Sequence, residues 1–290
     1  MYSLKTTGNR YKDNPVCPCG KSNKDYKFTT YIGCENKPFG YCHSCDKDFK
    51  NSSVSDSIQT PIFNKQKQCF FNPRLIYDHL DLKLNSNFTG FLSSYFGVDK
   101  TIEVVKKYHI GLYNHDVVFW QLDQFNSIRA GKVMKYNTNG RRKEYVNWWH
   151  KLNNHGCRLN QCFFGEHLTN SFYPIAVVES EKTACIMSII DPRHVWIASG
   201  GSSGLRRKCN SIKGFKAVLF PDQGQYDNWK EISDQIGFKI SSVCEKWFNE
   251  GSIKKGEDIA DYFLNRKKPI GSPFLILPSL NHFSQTELVQ

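Results

Sequence analysis

Two carboxylates and a glycine-rich turn stand where apolar stretches of the chain end. Glu179 follows the apolar run Ile175–Val178, and Asp222 ends the stretch Leu-Phe-Pro-Asp. Between them, residues 199–204 have the sequence Ser-Gly-Gly-Ser-Ser-Gly. Carboxylate oxygens suit hard cations such as Mg²⁺, and the N–H groups of a glycine-rich turn can approach a phosphate closely. Together these groups predict metal-assisted phosphoryl chemistry on nucleotides.

That chemistry depends on the elements that carry the three features. Short apolar runs alternate with helical patterns in this half of the chain: PIAVVE then KTACIMSII, VWIASGG then GLRRKCNSI, AVLFPD then YDNWKEISDQI, and KISSV then DIADYFLN. The alternation is typical of βαβ units and a parallel sheet. Because ligands gather at the carboxyl ends of parallel strands, we expect Glu179, the glycine turn and Asp222 to converge at one edge. Taken singly, Asp222 is better explained by a Pro-Asp turn and the glycine stretch by a flexible loop; the three features at successive strand ends favour a site.

A second group of metal-ligand residues lies near the N-terminus. Four cysteines form two close pairs, in C-P-C-G and C-H-S-C: Cys17, Cys19, Cys42 and Cys45. Two such pairs on tight turns can close a tetrahedron around Zn²⁺, and a segment this small would take much of its folding free energy from the metal. The first pair has one intervening residue where two are usual, which leaves Cys34 or His43 as alternative ligands. We predict a structural zinc ribbon.

The composition is that of a basic globular protein. The 290 residues carry a formal net charge of +12, and 14% of them are aromatic. This charge favours a polyanionic partner, nucleic acid first and an acidic membrane second, although AT-rich coding DNA would also enrich lysine and phenylalanine. The chain opens without an apolar signal-peptide core and has no run near the roughly 18 apolar residues of a membrane helix. We therefore expect a cytoplasmic protein whose 11 cysteines form no disulfide framework.

The middle of the chain combines helices with a basic β-rich segment. Three helical patterns, PRLIYDHL, NFTGFLSSYFG and VDKTIEVVKKYHIG, follow a polar linker. We expect Asp99 to cap the third helix, and Gly97 and Gly111 to end the second and third. The next runs, VVFWQLD, SIRAGKVMKYN and RKEYVNWWH, are rich in β-branched and aromatic residues, which predicts an antiparallel meander.

Basic and aromatic residues are concentrated in this meander. Arg129, Lys132 and Lys135 recur at a spacing of three, and the following GRRKEYVNWWHK adds further cations and two tryptophans. Cations that hold phosphates beside rings that stack on bases are suited to a single strand of nucleic acid. We therefore expect a basic, aromatic face on this part of the chain, with at least one of the tryptophans taken up by packing instead. The sequence GLRRK after the glycine turn adds Arg206 and Arg207 as candidate phosphate contacts.

The order of these motifs resembles a known family. The run VVESEKTA, ASGGSSGL, VLFPD is similar to a Toprim domain, the fold that topoisomerases share with bacterial-type primases. Upstream, the cysteine segment, the helices, the β-rich lobe and the connector CFFGEHL resemble, in order, a zinc ribbon and the amino-terminal part of a primase core. Downstream, GEDIADYF is similar to a Gly-x-Asp-x-x-Asp-Tyr segment. The particular residues found within these motifs resemble most closely those of the short primase-like Toprim proteins of Bacteroidetes mobile elements and phages.

The resemblance implies roles for individual residues. Glu179 matches the Toprim glutamate, a general acid/base or metal-linked carboxylate, and Asp222 matches the first aspartate of an Asp-x-Asp pair that holds Mg²⁺. Gly224 stands where the second aspartate is expected, and Asp227 is a substitute in the next helix or simply a helix N-terminal charge. Lys182 could meet a phosphate or neutralise Glu179. Nucleic-acid or nucleotide contacts are also implied for three residues of the lobe: Arg129, Lys143 and Asn147. Asp258 and Asp261 either complete the acidic cluster or form a solvated helix face.

The sequence thus predicts an α/β protein with an N-terminal zinc ribbon, a small mixed α+β lobe and a Toprim-type parallel sheet flanked by helices. The predicted divisions are a ribbon, a linker, the basic lobe, the Toprim domain and a tail: 1–55, 56–71, 72–168, 169–270 and 271–290. As cofactors we expect structural Zn²⁺ and catalytic Mg²⁺.

The predicted function is Mg²⁺-dependent nucleotide polymerisation on single-stranded DNA by a monomeric primase-type nucleotidyltransferase, in the replication of a phage, plasmid or mobile element. The expected partners are single-stranded DNA, nucleoside triphosphates and a separate replicative helicase. A helicase activity of its own is not expected, because the chain has no Gly-x-x-x-x-Gly-Lys-Ser/Thr loop. The alternatives are a non-catalytic DNA-binding Toprim protein and a Toprim nuclease.

Overall fold

The computed structural model of the protein describes residues 4, 10–24, 26–34, 37–43, 47–49, 69, 71–143, 146–153, 157–169, 172–201, 203–267 and 270. The chain divides into two compact units, residues 1–65 and 66–290. Most of the predicted linker, and all of the predicted tail, lie outside the described residues.

The first unit is a small antiparallel sheet with a cysteine-rich core. A short helix, α1 (Arg10–Asp13), precedes three strands in the order of the sequence: β1 (Phe28–Thr30), β2 (Gly40–Cys42) and β3 (Lys47–Phe49). Cys17, Phe28 and Cys42 are buried together at its centre, with Phe49 packed against them. The apolar core of the described part of this unit is therefore small. A small core agrees with the prediction that a bound metal supplies much of the folding free energy of this segment.

The second unit begins with the three predicted helices: α2 (Arg74–His79), α3 (Asn87–Phe96) and α4 (Val98–Tyr108). Ser86 caps α3, since its hydroxyl accepts the N–H of Thr89 at 3.1 Å. Gly97 ends α3, as predicted, in a left-handed conformation that favours glycine (φ 86°).

Two details of α4 differ from the prediction. Asp99 lies in the first turn and makes no capping hydrogen bond, because the helix begins directly after Gly97. The helix also ends before Gly111, since His109 adopts a left-handed conformation and its N–H bonds back into the last turn. Gly111 instead starts the next strand, where a Cβ would come within 2.7 Å of Nε1 of Trp120. Close packing, not helix termination, explains this glycine.

The predicted antiparallel meander is confirmed. Its strands pair in sequence order: β4 (Gly111–Tyr113), β5 (Asp116–Leu122), β6 (Ile128–Met134) and β7 (Asn147–Trp148). A short helix, α5 (Trp149–Leu152), follows. β5 and β6 are buried on both faces, since Phe119 packs into one apolar cluster and Trp120 into another. Lys132 is therefore buried in β6 and does not contribute to the expected basic, aromatic face.

The second half of the unit has the predicted parallel sheet. Its four strands are all parallel in the order β11-β10-β8-β9: β8 (Ile175–Val178), β9 (Val195–Ala198), β10 (Ala217–Leu219) and β11 (Lys239–Ile240). Five helices accompany them: α6 (Glu181–Ile190), α7 (Gly204–Lys208), α8 (Tyr226–Ile236), α9 (Val243–Asn249) and α10 (Ile259–Leu264). Among the described residues, no helix has both the length and the apolar character needed to cross a membrane.

The meander and the parallel sheet share one core. Successive residues of β8 point to opposite faces, so Ala176 and Val178 join one apolar cluster while Ile175 and Val177 join another. The first of these clusters also contains side chains of α3, α4 and β5. This packing fixes the meander against the carboxyl edge of the parallel strands.

One disulfide lies outside the cysteine-rich unit. It joins Cys69 to Cys157, which are 88 positions apart. No disulfide framework is expected from the sequence, and the Cys69–Cys157 bond is not predictable from it because the two residues are not closely spaced. The bond ties the entrance of the second unit to the segment that follows α5.

Candidate active site

Glu179 and Asp222 leave the sheet at the same edge. The strands that precede them, β8 and β10, are parallel neighbours in which Val177 pairs with Leu219. Glu179 comes two residues after Val177, and Asp222 three residues after Leu219. The convergence expected from the alternating pattern is therefore present in the fold.

The helix α10 brings two further carboxylates to this edge. Asp258 is its N-cap and accepts the N–H groups of Ala260 (2.8 Å) and Asp261 (3.0 Å), while Asp261 accepts the N–H of Asp258 (3.2 Å). The hydroxyl of Thr183 in α6 also donates to Asp258. This capping box and its link to α6 fix the start of α10 beside Glu179. Of the two readings of these aspartates, the structure favours the acidic cluster over a solvated face.

An open pocket of about 440 Å³ lies between the meander and the parallel sheet. Its carboxylates are Glu179, Glu181, Asp222, Glu257, Asp258 and Asp261. Its basic side chains are Lys132, Arg141, Arg142 and Lys182, and its glycines include Gly200 and Gly201 of the glycine turn. The pocket thus combines carboxylates, cations and exposed backbone, as a site for a metal–phosphate ligand requires.

Asp222 is the electrostatic centre of the pocket. Its Oδ1 atom is buried and has no hydrogen-bond partner among the described residues. Burial, together with the neighbouring charges of Asp258 and Glu179, raises the pKa of Asp222 to about 9. Burial and the charge of Asp261 also raise the pKa of Asp258. A cluster of carboxylates that resist ionisation, with one oxygen left without a donor, fits a bound divalent cation.

The lysines of the site have separate partners. Lys182 lies 3.6 Å from Oδ1 of Asp261, so it neutralises part of the acidic cluster. Lys132 donates to both carboxylate oxygens of Glu181 at 2.9 Å and to the carbonyl of Gly200 at 3.1 Å. Lys208, also buried, donates to the carbonyl of Ser199 at 2.8 Å, and burial lowers its pKa to about 8. The expectation that Lys132 contacts nucleic acid directly does not fit its burial inside the protein.

Several predicted site residues lie away from this pocket. Asp227 is exposed on α8 and is not among the residues that line the pocket, which favours its reading as a helix N-terminal charge. Arg206 is exposed and pairs with Glu231 at 3.0 Å. Three others are exposed on or near the last strands of the meander: Lys135, Lys143 and Asn147.

Arg129 and Arg207 line a second cleft, of about 340 Å³. Arg129 is engaged there by Asp123, whose Oδ2 accepts its Nε at 2.6 Å. The buried Glu166 is also in this cleft, accepts the hydroxyl of Ser211 at 2.8 Å, and has a pKa raised by burial. These two arginines are therefore separate from the acidic pocket.

Sequence reasoning did not single out some residues that the fold brings to the pocket. Arg141 and Arg142 were grouped with a general basic face, yet both line the acidic pocket. Glu257 and Tyr136 line it as well. The signal for Glu257 was its place in the Gly-x-Asp-x-x-Asp-Tyr segment, whereas nothing in the sequence marked Tyr136.

The cysteine-rich unit contains a group that can hold a metal. The Sγ atoms of Cys17, Cys19 and Cys42 all lie within 4.8 Å of one another. Burial raises the pKa of the Cys17 thiol, which a bound cation would reverse. Cys34 and His43 do not belong to this group, although both are described. Cys45, the fourth predicted ligand, lies outside the described residues.

Comparisons with known proteins give one family match and several structural likenesses. A family model described as a domain of unknown function, DUF6371, matches residues 86–223, a range that includes Glu179 and Asp222 but not Asp258. The comparison with curated proteins gives no match.

The structural likenesses are to primases. The primase fragment of the bacteriophage T7 primase-helicase protein is similar at 16% identity, over 87% of this chain and 93% of that one, with a TM-score of 0.43. The zinc-binding and RNA polymerase domains of the Aquifex aeolicus primase are similar at 10% identity, over 91% and 77% of the two chains, with a TM-score of 0.40. At these scores the likeness does not itself assign a function.

Proposed function

We propose that this chain is a primase-type nucleotidyltransferase that binds single-stranded DNA and joins nucleotides in a Mg²⁺-dependent reaction. One observation carries the proposal: within the described part of the chain, Oδ1 of Asp222 is buried without a donor, in an open pocket that also contains the carboxylates of Glu179, Asp258 and Asp261. Such a group of oxygens is suited to a hard divalent cation with room left for water and phosphate.

The residues that would hold Mg²⁺ are Asp222 and Glu179, with Asp258 as a further ligand or as a partner that orients the other two. When bound there, the ion would neutralise charge that develops on a reacting phosphate. Asp258 is already oriented by the N–H groups of its own helix and by Thr183. The acidic group is therefore organised before any ligand arrives.

The other side chains of the pocket suit a nucleoside triphosphate. Arg141 and Arg142 line the pocket beside the carboxylates, where they can bind phosphate oxygens. The glycine turn can offer backbone N–H groups, because Gly201 lines the pocket and, among the described residues, a Cβ at this position would have no atom within 4 Å. Glu179 is the candidate to accept the proton of an attacking hydroxyl group.

For the nucleic acid, we propose contacts on the exposed part of the meander. Lys135, Lys143 and Asn147 are exposed there. With the net charge of +12, they favour a polyanionic partner on this exposed surface, which lies outside the lining of the acidic pocket. Arg129, Arg206 and Arg207 are candidates for a longer track of the same strand.

For the first unit, we propose a structural zinc site. Cys17, Cys19 and Cys42 supply clustered thiols, and Cys45 is the candidate for the fourth ligand. A closed site of this kind stabilises a fold with a small core and leaves no position for a substrate.

The proposal is tested by incorporation of labelled nucleotides on single-stranded DNA. Wild-type protein is expected to incorporate nucleotides with Mg²⁺ and not with EDTA. Glu179→Gln is expected to reduce the rate by about 100-fold or more, because the proton acceptor and a metal ligand are lost together. Glu103→Gln, at an exposed glutamate of α4, is the matched control and should keep the wild-type rate.

A second candidate, a DNA-binding protein without catalysis, is favoured by one feature. Gly224 occupies the position of the second aspartate in the motif, and its N–H donates to Oε1 of Glu245 at 2.6 Å. If wild-type protein shifts single-stranded DNA in a gel yet incorporates no nucleotide, the binding function replaces the enzymatic one. Nicking of supercoiled plasmid with Mg²⁺, in place of incorporation, would identify a nuclease.

A further inference from the structure

Two lysines and one glutamate form a buried cluster under the glycine turn. Lys132 comes from the meander strand β6, Glu181 from the start of α6, and Lys208 from the end of α7. Their relative exposures are 6%, 2% and 5%. Both ammonium groups are thus buried inside the protein, so they cannot directly contact a nucleic-acid strand on its surface.

The cluster holds the backbone of the turn through its carbonyl groups. Lys132 donates to the carbonyl of Gly200 at 3.1 Å, and Lys208 donates to that of Ser199 at 2.8 Å. Glu181 acts on the turn through Lys132, whose ammonium group donates to both of its carboxylate oxygens at 2.9 Å. Elements from both halves of the unit therefore fix the direction in which two successive carbonyls point.

The turn rests directly on the cluster. A Cβ at Gly200 would lie 3.1 Å from Oε1 of Glu181, 3.6 Å from Nζ of Lys208 and 3.8 Å from Nζ of Lys132. Gly200 also has a positive φ of 79°, so glycine is required for both space and conformation. The next residue, Gly201, has open space where a Cβ would be, and its N–H has no partner among the described residues.

The arrangement favours an anion above the turn. With the carbonyls directed toward the lysines, they do not repel a phosphate, and the N–H of Gly201 remains available to it. Two ammonium groups against one carboxylate also leave a positive charge beneath the turn, where the surrounding protein screens it weakly. Acidic side chains occupy the facing part of the same pocket and suit the cation that accompanies such a phosphate.

We infer that Lys132, Glu181 and Lys208 are positioning residues that set the glycine turn for the phosphates of a nucleoside triphosphate. The inference rests on the proposed function, because the same pocket would hold the reacting nucleotide. It replaces the expected direct contact of Lys132 with nucleic acid by an action through the backbone of the turn.

The test compares Lys208→Met with wild-type protein by calorimetric titration with ATP in Mg²⁺. The variant is expected to bind ATP about tenfold more weakly, as expected when phosphate contacts are misaligned. Its thermal stabilisation by Mg²⁺ alone should remain, because the acidic group is intact. In incorporation assays, KM for the nucleotide should rise by a similar factor while kcat changes little, a division that a general loss of structure would not produce. Lys239→Met, at an exposed lysine of β11, is the matched control.

Gly200→Ala perturbs the same contact from the side of the turn and is the second variant if Lys208→Met does not fold. It is expected to show the same loss of ATP affinity with retained stabilisation by Mg²⁺. ATP affinity within about twofold of wild type in either folded variant would overturn the inference. Wild-type protein that binds ATP but incorporates no nucleotide would refute the proposed function and leave the positioning role standing. Wild-type protein that binds no ATP would refute both.

Discussion

Replacing Asp222 by Asn is expected to stabilise the metal-free protein at neutral pH. In the folded chain, burial and the charges of Asp258 and Glu179 raise the pKa of Asp222 to about 9, whereas an unfolded aspartate has a pKa of about 3.9. Between these two pKa values, the carboxyl group of Asp222 is protonated in the folded state and ionised in the unfolded state. Asn has a similar shape and no charge to bury, so it avoids this cost.

The sign and size follow from proton linkage. Because the folded pKa is raised, the stability that this group contributes is fully present below about pH 4 and is lost as the pH rises toward the folded value. Each pH unit in that window costs at most about 1.4 kcal/mol. Between about pH 6 and pH 8, wild-type protein should lose up to about 3 kcal/mol relative to the variant, or about 6–12 °C in Tm for a domain of this size.

Thermal unfolding in EDTA across that pH range measures the difference. The gap in Tm between Asp222→Asn and wild type should widen as the pH rises. Saturating Mg²⁺ should raise the Tm of wild-type protein and leave the variant nearly unchanged, because the amide of Asn has no negative charge to bind the cation. Asp227→Asn is the control, since that aspartate is exposed and outside the pocket. A variant no more stable than wild type at any pH in EDTA would refute the picture of a buried, mutually repelling acidic group.

Two further predictions concern the metal in the first unit and the packing of the second. Cys17→Ser should abolish the single bound zinc measured by elemental analysis, whereas Cys34→Ser should retain it; equal zinc in both variants would exclude the clustered thiols as the ligands. Gly131→Ala should cost about 1–3 kcal/mol in urea unfolding, because its Cβ would lie 2.5 Å from the ring of Trp120. Gly90→Ala, in the open interior of α3, should instead stabilise by about 0.5–1 kcal/mol; the opposite order of the two would contradict the packing described for β6.

The sequence alone determined the types of the main elements and which strands form a meander and which a parallel sheet. Apolar runs that alternate with helical patterns require a parallel sheet, and successive β-rich runs separated by tight turns form a meander. The positions of Glu179 and Asp222 follow from the same logic, since both come directly after parallel strands. Local patterns were sufficient for these predictions because the spacing of apolar residues and the type of connection between strands are visible in neighbouring residues.

The tertiary structure decided which polar side chains share a site. The sequence placed Lys132 on a basic, aromatic face for nucleic acid. In the fold β6 is buried on both faces, so Lys132 instead pairs with Glu181, 49 positions away. Arg141 and Arg142 line the acidic pocket in the fold, whereas Asp227 does not. Charged residues that are far apart in the sequence come into contact only when the two sheets pack together. Local sequence patterns do not predict which of them will meet.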